Sequence, residues 1–155
     1  MVSMGLLPGT NALLEVVELR PRRRDAVLAQ LVAAAEQAGA VREPEVLLST
    51  LARAHRLGGA AVGHDVAVPH ARSICVVRPI SMLGRSERGI EWSPGDGGLV
   101  HLVMLVLSPA AFSAAAHAER LALAVQAFRL QRVRHKLLEA ESGNVRTVLE
   151  ETARR

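Results

Sequence analysis

The sequence predicts an α+β domain built on a mixed β-sheet covered by helices. The order of elements is the first reason. One strand, two helices, several strands and three further helices follow one another along the 155 residues, a pattern that suits a sheet with helices packed on it. The second reason is Leu99 to Leu107, the most hydrophobic stretch of the chain, which reads as a central strand buried on both faces. The third is size: half of the residues are apolar, and the length is one domain's worth, enough to bury a core without staples. Residues 1–155 are therefore expected to form a single domain, with 1–12 an irregular segment.

The elements follow from local pattern. Leu13-Leu14-Glu15-Val16-Val17-Glu18-Leu19 is apolar and β-branched and stops before Arg20-Pro21, so it predicts the first strand. From Arg22 to Ala38 apolar residues fall at 27, 28, 31, 32 and 35, which is helical spacing, and Gly39 supplies the stop. Glu43-Pro44 opens a second helix, proline standing where its missing N–H costs nothing. Val46, Leu47, Leu48 and Leu51 are its expected buried face, and Gly58-Gly59 its end. Val66-Ala67-Val68 is a strand stub. Ile74 to Val77 and Ile80 to Leu83 read as strands, Arg85 to Gly89 as a polar turn, Ile90-Glu91-Trp92 as a brief extended piece, and Ser93 to Gly98 as a loop. Ser108-Pro109 closes the central strand. A helix is expected from Ala110 to Arg129, with Ser113 as a candidate N-cap and His117, Leu121, Ala124, Val125 and Phe128 on one face. Helices over Arg132 to Glu141 and Asn144 to Ala153, split at Ser142-Gly143, complete the chain.

Charge and composition narrow the function. The net charge is +4 and comes almost entirely from arginine, with Lys136 the sole lysine. Basic residues cluster at Arg20 to Arg24 and at Arg129 to Lys136. The aromatics are Trp92, Phe112 and Phe128 alone, so no base-stacking platform for nucleic acid is evident. The arginines suit solvated helix faces or a docking surface for acidic proteins. No apolar run reaches the roughly 20 residues of a membrane span, and residues 1–14 lack the pattern of a signal peptide. A single Cys75 excludes an internal disulfide. A cytoplasmic location is expected.

The chemistry is expected at Gly63-His64-Asp65-Val66-Ala67-Val68-Pro69-His70-Ala71-Arg72. Pro69 removes a backbone donor and fixes φ, which predicts that the strand stops there and that His70 is the first side chain past its end. A neutral imidazole so presented, with the Arg72 guanidinium two residues on, suits phosphoryl chemistry. A surface histidine in a turn would show the same three residues.

This segment resembles the phosphorylation motif of enzyme IIA of the bacterial phosphotransferase system, in its mannitol/fructose/nitrogen-regulatory type. The family's Gly-x-x-Ala-hydrophobic-Pro-His run is matched at Ala67-Val68-Pro69-His70, and the resemblance extends from about Leu13 to the C-terminus. The leading strand, the helix ending near Gly39, Gly89-Ile90-Glu91-Trp92, the apolar strand with Pro109 and a histidine opening the next helix all agree. It implies a three-layer α/β/α sandwich on a mixed sheet, the mannitol-type enzyme IIA fold. It implies that His70 accepts a phosphoryl group from the histidine phosphocarrier protein and passes it to a IIB domain or signals by its phosphorylation state, with no cofactor. His117 would lie beside His70 and orient it or hydrogen-bond the phosphoryl group. A lone helical histidine bonded to a backbone carbonyl is the plainer alternative for His117.

The sequence departs from the family at the end of the second helix. Ala54-His55 stands where the family has Arg-Glu, and Gly59-Ala60 where it has Ser-Thr. The family's arginine helps hold the phosphoryl group; Arg53, then Arg56, are the substitutes expected here, with Arg72 a third candidate. His55 and His64 add polar groups nearby. Their spacing with His70 matches no zinc site and no Cys or carboxylate cluster joins them, so no metal is expected. The chain contains no IIB or membrane IIC segment, which favours the nitrogen-regulatory type and a regulated target protein as partner. The alternative is an enzyme IIA-fold regulatory binding module in which phosphotransfer is weakened or lost.

Overall fold

The computed structural model describes residues 13–58, 65–93 and 98–153, with backbone only at 13, 55–58 and 152–153. The elements are β1 (Leu13–Glu18), α1 (Arg24–Gln37), α2 (Pro44–Gly58), β2 (Val66–Ala67), β3 (His70–Ser73), β4 (Ile80–Ile90), β5 (Val100–Pro109), α3 (Ala114–Ala127), α4 (Gln131–Glu139) and α5 (Val145–Ala153), with a 3-10 turn at Ser142–Asn144 before α5.

Among the described residues, five strands form one sheet in the order β1-β4-β5-β2, with β3 also paired to β5. β1 runs parallel to β4, β2 and β3 run parallel to β5, and β4 and β5 are antiparallel. The sheet is therefore mixed.

β5 makes it the middle of three layers. Val103, Leu105 and Leu107 pack with Val27, Leu31, Leu47 and Leu51 of α1 and α2. Leu102, Met104 and Val106, alternating with them, pack with Ala124, Phe128, Val133, Leu137, Val145 and Leu149 of the C-terminal helical layer. Alternation along one strand thus feeds two cores on opposite faces. Every one of those six β5 side chains is fully buried. The expected α/β/α sandwich is the observed architecture.

Turn chemistry sets the helix ends. Gly39 takes φ +77°, and the Ala40 N–H donates back to the Ala35 carbonyl at 3.0 Å, the longer bond of a Schellman stop. Ser113 caps α3 by accepting the Ala116 N–H at 3.0 Å.

Five expectations need correction. Arg85 to Gly89 is not a turn but the far half of β4, which runs on to Ile90 with an irregular register between Arg85 and Ile90. The polar side chains find partners there: Arg85 donates to the Leu137 and Ala140 carbonyls and pairs with Glu18, and the Gly89 N–H donates to Ser86 Oγ at 3.0 Å. Ile74 to Val77 is a turn, with one bridge from Val76 to Val41, and it leaves Ile74 72 % exposed. Val46 faces solvent rather than the core. So does Val125; the buried residues of α3 are His117, Arg120 and Ala124. Finally, the chain does not leave the sheet at Pro69. Pairing breaks at Val68 and Pro69, but the Pro69 carbonyl still accepts the Val106 N–H at 3.0 Å. β3 then resumes on β5 with His70 opposite Val106. Proline removes a donor and keeps its acceptor, so the ladder skips a rung and continues.

Candidate functional site

The restart of β3 decides where His70 points. Along His70–Ser73 the second residue, Ala71, is buried in the core with α1 and α2, while His70 and Arg72 are exposed. Alternation puts these two on the other face, toward α3. Arg72 stands opposite Ser108 of β5 in the parallel register.

α3 brings the second histidine to the same place. Its cap at Ser113 fixes the first turn, and the His117 N–H donates to the Ser113 carbonyl at 3.1 Å. His117 is buried, 8 % exposed. Its Nε2 lies 3.2 Å from Nδ1 of His70, within hydrogen-bonding distance, with the rings 5.3 Å apart between centroids and inclined at 46°. Its Nδ1 lies 2.7 Å from Ser108 Oγ. The partner of His117 is thus a side-chain hydroxyl and not a backbone carbonyl.

Ser108 in turn accepts from Arg120 Nη1 at 2.6 Å, and that nitrogen also donates to the Leu107 carbonyl. Arg120 Nη2 donates to Ser81 Oγ on β4 at 3.1 Å. A continuous chain of contacts therefore runs from the exposed His70 through His117 and Ser108 to a guanidinium inside the protein. Neither Ser108 nor Arg120 was expected at the site. The signal was present: Arg120 is three residues after His117, hence on the same helical face, and an arginine in an apolar stripe calls for a buried partner.

The electrostatics favour neutral imidazoles. Although the outer edge of the His70 ring is exposed, partial burial of the edge that meets His117 lowers its pKa below the usual 6.5. Burial lowers that of His117 to about 4, helped by the charges of His70, Arg120 and Arg72. Both rings are therefore largely uncharged at neutral pH, which leaves each with a ring-nitrogen lone pair.

Of the candidate arginines, Arg72 is at this site. Its Nη1 donates to the Phe112 carbonyl at 2.8 Å, which ties the strand to the loop leading into α3. Arg53 is exposed on α2, whose buried Leu47 and Leu51 pack on the sheet face opposite the one His70 presents. The side chains of Arg56 and His55, and all of His64, Gly59 and Ala60, lie outside the described residues.

Fold and site together define a domain with two hydrogen-bonded histidines at the margin of a mixed sheet. Residues 13–151 match the family described as phosphoenolpyruvate-dependent sugar phosphotransferase system, EIIA 2, and the chain belongs to that family. It is 30% identical over 131 residues to the fructose-specific EIIA component of Haloferax volcanii, covering 83% of this chain and 84% of that protein. It is 24% identical over 126 residues to the fructose-specific EIIABC component of Bacillus subtilis, where the match takes in 81% of this chain but only 20% of that much longer protein. Among solved structures, the nitrogen regulatory protein IIA-Ntr of Neisseria meningitidis superposes with a TM-score of 0.76 at 21% identity, covering 86% of this chain and 91% of that one. Enzyme IIA of the Escherichia coli mannitol system, solved in complex with phosphorylated IIB, superposes with a TM-score of 0.74 at 16% identity over 91% of this chain and 95% of that one. The fold is the mannitol-type IIA fold.

Proposed function

We propose that this protein is a phosphoryl carrier of the phosphotransferase system with His70 as the acceptor. The observation that carries the reading is the 3.2 Å contact between His70 Nδ1 and His117 Nε2 on an exposed His70. It engages Nδ1 and leaves the attacking lone pair at Nε2. In the transfer, the His70 Nε2 lone pair bonds to phosphorus while the donor's P–N bond breaks and its electron pair returns to the donor imidazole. No nucleotide, metal or cofactor takes part in that exchange, and little is asked of the protein beyond position and charge.

The phosphoryl group adds about −1.5 to −2 charges if it behaves as on other side chains. Arg72 is the cation that the strand geometry supports for it, on the same strand face as His70. Arg53 and Arg56 would have to reach the group from the end of α2. The α3 N-terminus adds a favourable field for an anion.

The donor in this reading is the histidine phosphocarrier protein and the setting is the cytoplasm. The complex of the mannitol enzyme with phosphorylated IIB supports a IIB domain as the recipient. The likeness to IIA-Ntr supports a second outlet, in which phosphorylation changes binding to a target protein. The test is incubation with phosphoenolpyruvate, enzyme I and the phosphocarrier protein, followed by assay for acid-labile phosphate and mapping of the labelled residue. Label on His70 is the expected result. A folded protein that takes up no phosphate would leave the regulatory binding module as the better reading.

A further inference from the structure

Arg120 is 6 % exposed, and among the described residues no carboxylate pairs with it. Its Nε is buried without any hydrogen-bond partner. A desolvated guanidinium lacking a counter-ion is costly to the fold, and a methionine or leucine of similar volume would avoid that cost. Its other nitrogens are all directed at the support of the histidine pair: Ser108 Oγ, the Leu107 carbonyl that precedes it, and Ser81 Oγ on the neighbouring strand. Ser108 Oγ is the atom that holds His117 Nδ1. One hydroxyl therefore separates a fixed positive charge from the second histidine.

We propose that Arg120 is a positioning residue that adds to burial in keeping His117 uncharged, by holding Ser108 Oγ as the acceptor of its Nδ1–H, so that the Nδ1 proton of His70 stays on His70 throughout phosphoryl transfer. The proposal rests on the carrier reading and deepens it. In the resting state His70 Nδ1–H donates to His117 Nε2, and His117 Nδ1–H donates to Ser108 Oγ, whose second lone pair accepts Arg120. When His70 Nε2 bonds to phosphorus, the His70 ring becomes a cation that still holds its Nδ1 proton. His117 is the only base in contact with that proton among the described residues. Were His117 to take it, phospho-His70 would become a neutral phosphoimidazole and would have to depart as imidazolate, a poor leaving group. With the proton retained, the P–N bond breaks to give neutral imidazole, and onward transfer stays as easy as uptake.

The charged and titratable groups that act on His117 are His70 and Arg72 from β3 and Arg120 from its own helix, and all three oppose a second proton. Burial lowers Arg120 itself only to about 10, so it remains a cation at neutral pH.

The test follows the ring nitrogens of His117 by nitrogen-15 NMR across a pH titration, together with transfer from the phosphorylated protein to a IIB domain. In the wild type, His117 is expected to stay neutral down to below about pH 5 with its proton on Nδ1. Arg120→Met is expected to raise the titration of His117 by about half a pH unit and to slow onward transfer at pH 7 by about two- to threefold. Arg120→Lys, which keeps the charge, is expected to retain the low titration. A wild-type His117 that titrates near pH 6.5 would overturn the proposal without any variant. So would an Arg120→Met protein with unchanged His117 titration and unchanged transfer. A wild-type protein that never labels on His70 refutes the carrier reading instead, while the titration still reports on Arg120.

Discussion

His117 gives the fold a specific sensitivity to acid. In the folded protein its pKa is about 4, whereas the unfolded chain returns it to the ordinary 6.5. Above pH 6.5 neither state holds a proton on this ring, and its contribution to stability is constant. Below that, the unfolded chain binds a proton that the native state refuses until about pH 4. Stability therefore falls as pH falls, by at most about 1.4 kcal/mol per pH unit, and levels off below about pH 4. Over the window the loss attributable to this one ring is at most about 3 kcal/mol. The perturbation that isolates it is His117→Gln, which keeps a hydrogen-bonding side chain but cannot titrate. Urea denaturation of both proteins from about pH 7.5 to about pH 4 gives the difference in unfolding free energy at each pH. Carboxylates shared by the two cancel, including Glu15, whose pKa burial raises and whose effect runs in the opposite direction. The wild type is expected to lose about 2–3 kcal/mol more than the variant across the window. A difference that stays flat within about 0.5 kcal/mol would show that His117 accepts its proton as freely inside the fold as outside it, and the electrostatic account of the site would fail.

The remaining predictions concern the site and the sheet. His70→Ala is expected to abolish phosphate incorporation, while His117→Ala keeps some labelling and slows onward transfer; normal labelling of the His70 variant means another nucleophile. Arg72→Ala is expected to slow labelling by about tenfold, more than Arg53→Ala or Arg56→Ala, because its charge lies on the His70 face of β3; rates of phosphorylation by the phosphocarrier protein rank the three, and silence of Arg72→Ala refutes that assignment. Gly84→Ala is expected to destabilise by about 1–3 kcal/mol, since its Cβ would lie 2.6 Å from Cδ1 of the buried Leu19; urea midpoints measure it. Ile74→Ser, at a side chain 72 % exposed, is expected to leave stability within about 0.5 kcal/mol of wild type.

Much of this protein is legible from sequence alone, and the reason is periodicity. The helical spacing of Val27, Leu28, Leu31, Val32 and Ala35, the stop at Gly39, the cap at Ser113 and the unbroken apolar run of β5 are local signals, each of which reports the burial of its own element. The layered fold follows from their order. His70 and His117 are legible as candidates because proline and a helix start mark them, and because they stand where a family motif places them. What the sequence does not carry is pairing across the sheet. Nothing local says that Arg85 to Gly89 continues β4, since the partners that satisfy its polar groups come from Glu18, Leu137 and Ala140, many residues away. Nothing local says that the chain resumes its ladder after Pro69, yet that register turns both His70 and Arg72 toward α3. The support of His117 is the clearest case. Ser108 lies near the end of β5 and Arg120 within α3, and although Arg120 shares the face of His117, nothing on either element names its partner. Only the packing of α3 on β5 makes them partners, because a hydrogen bond depends on a few tenths of an ångström between segments whose separation along the chain says nothing about their distance in space.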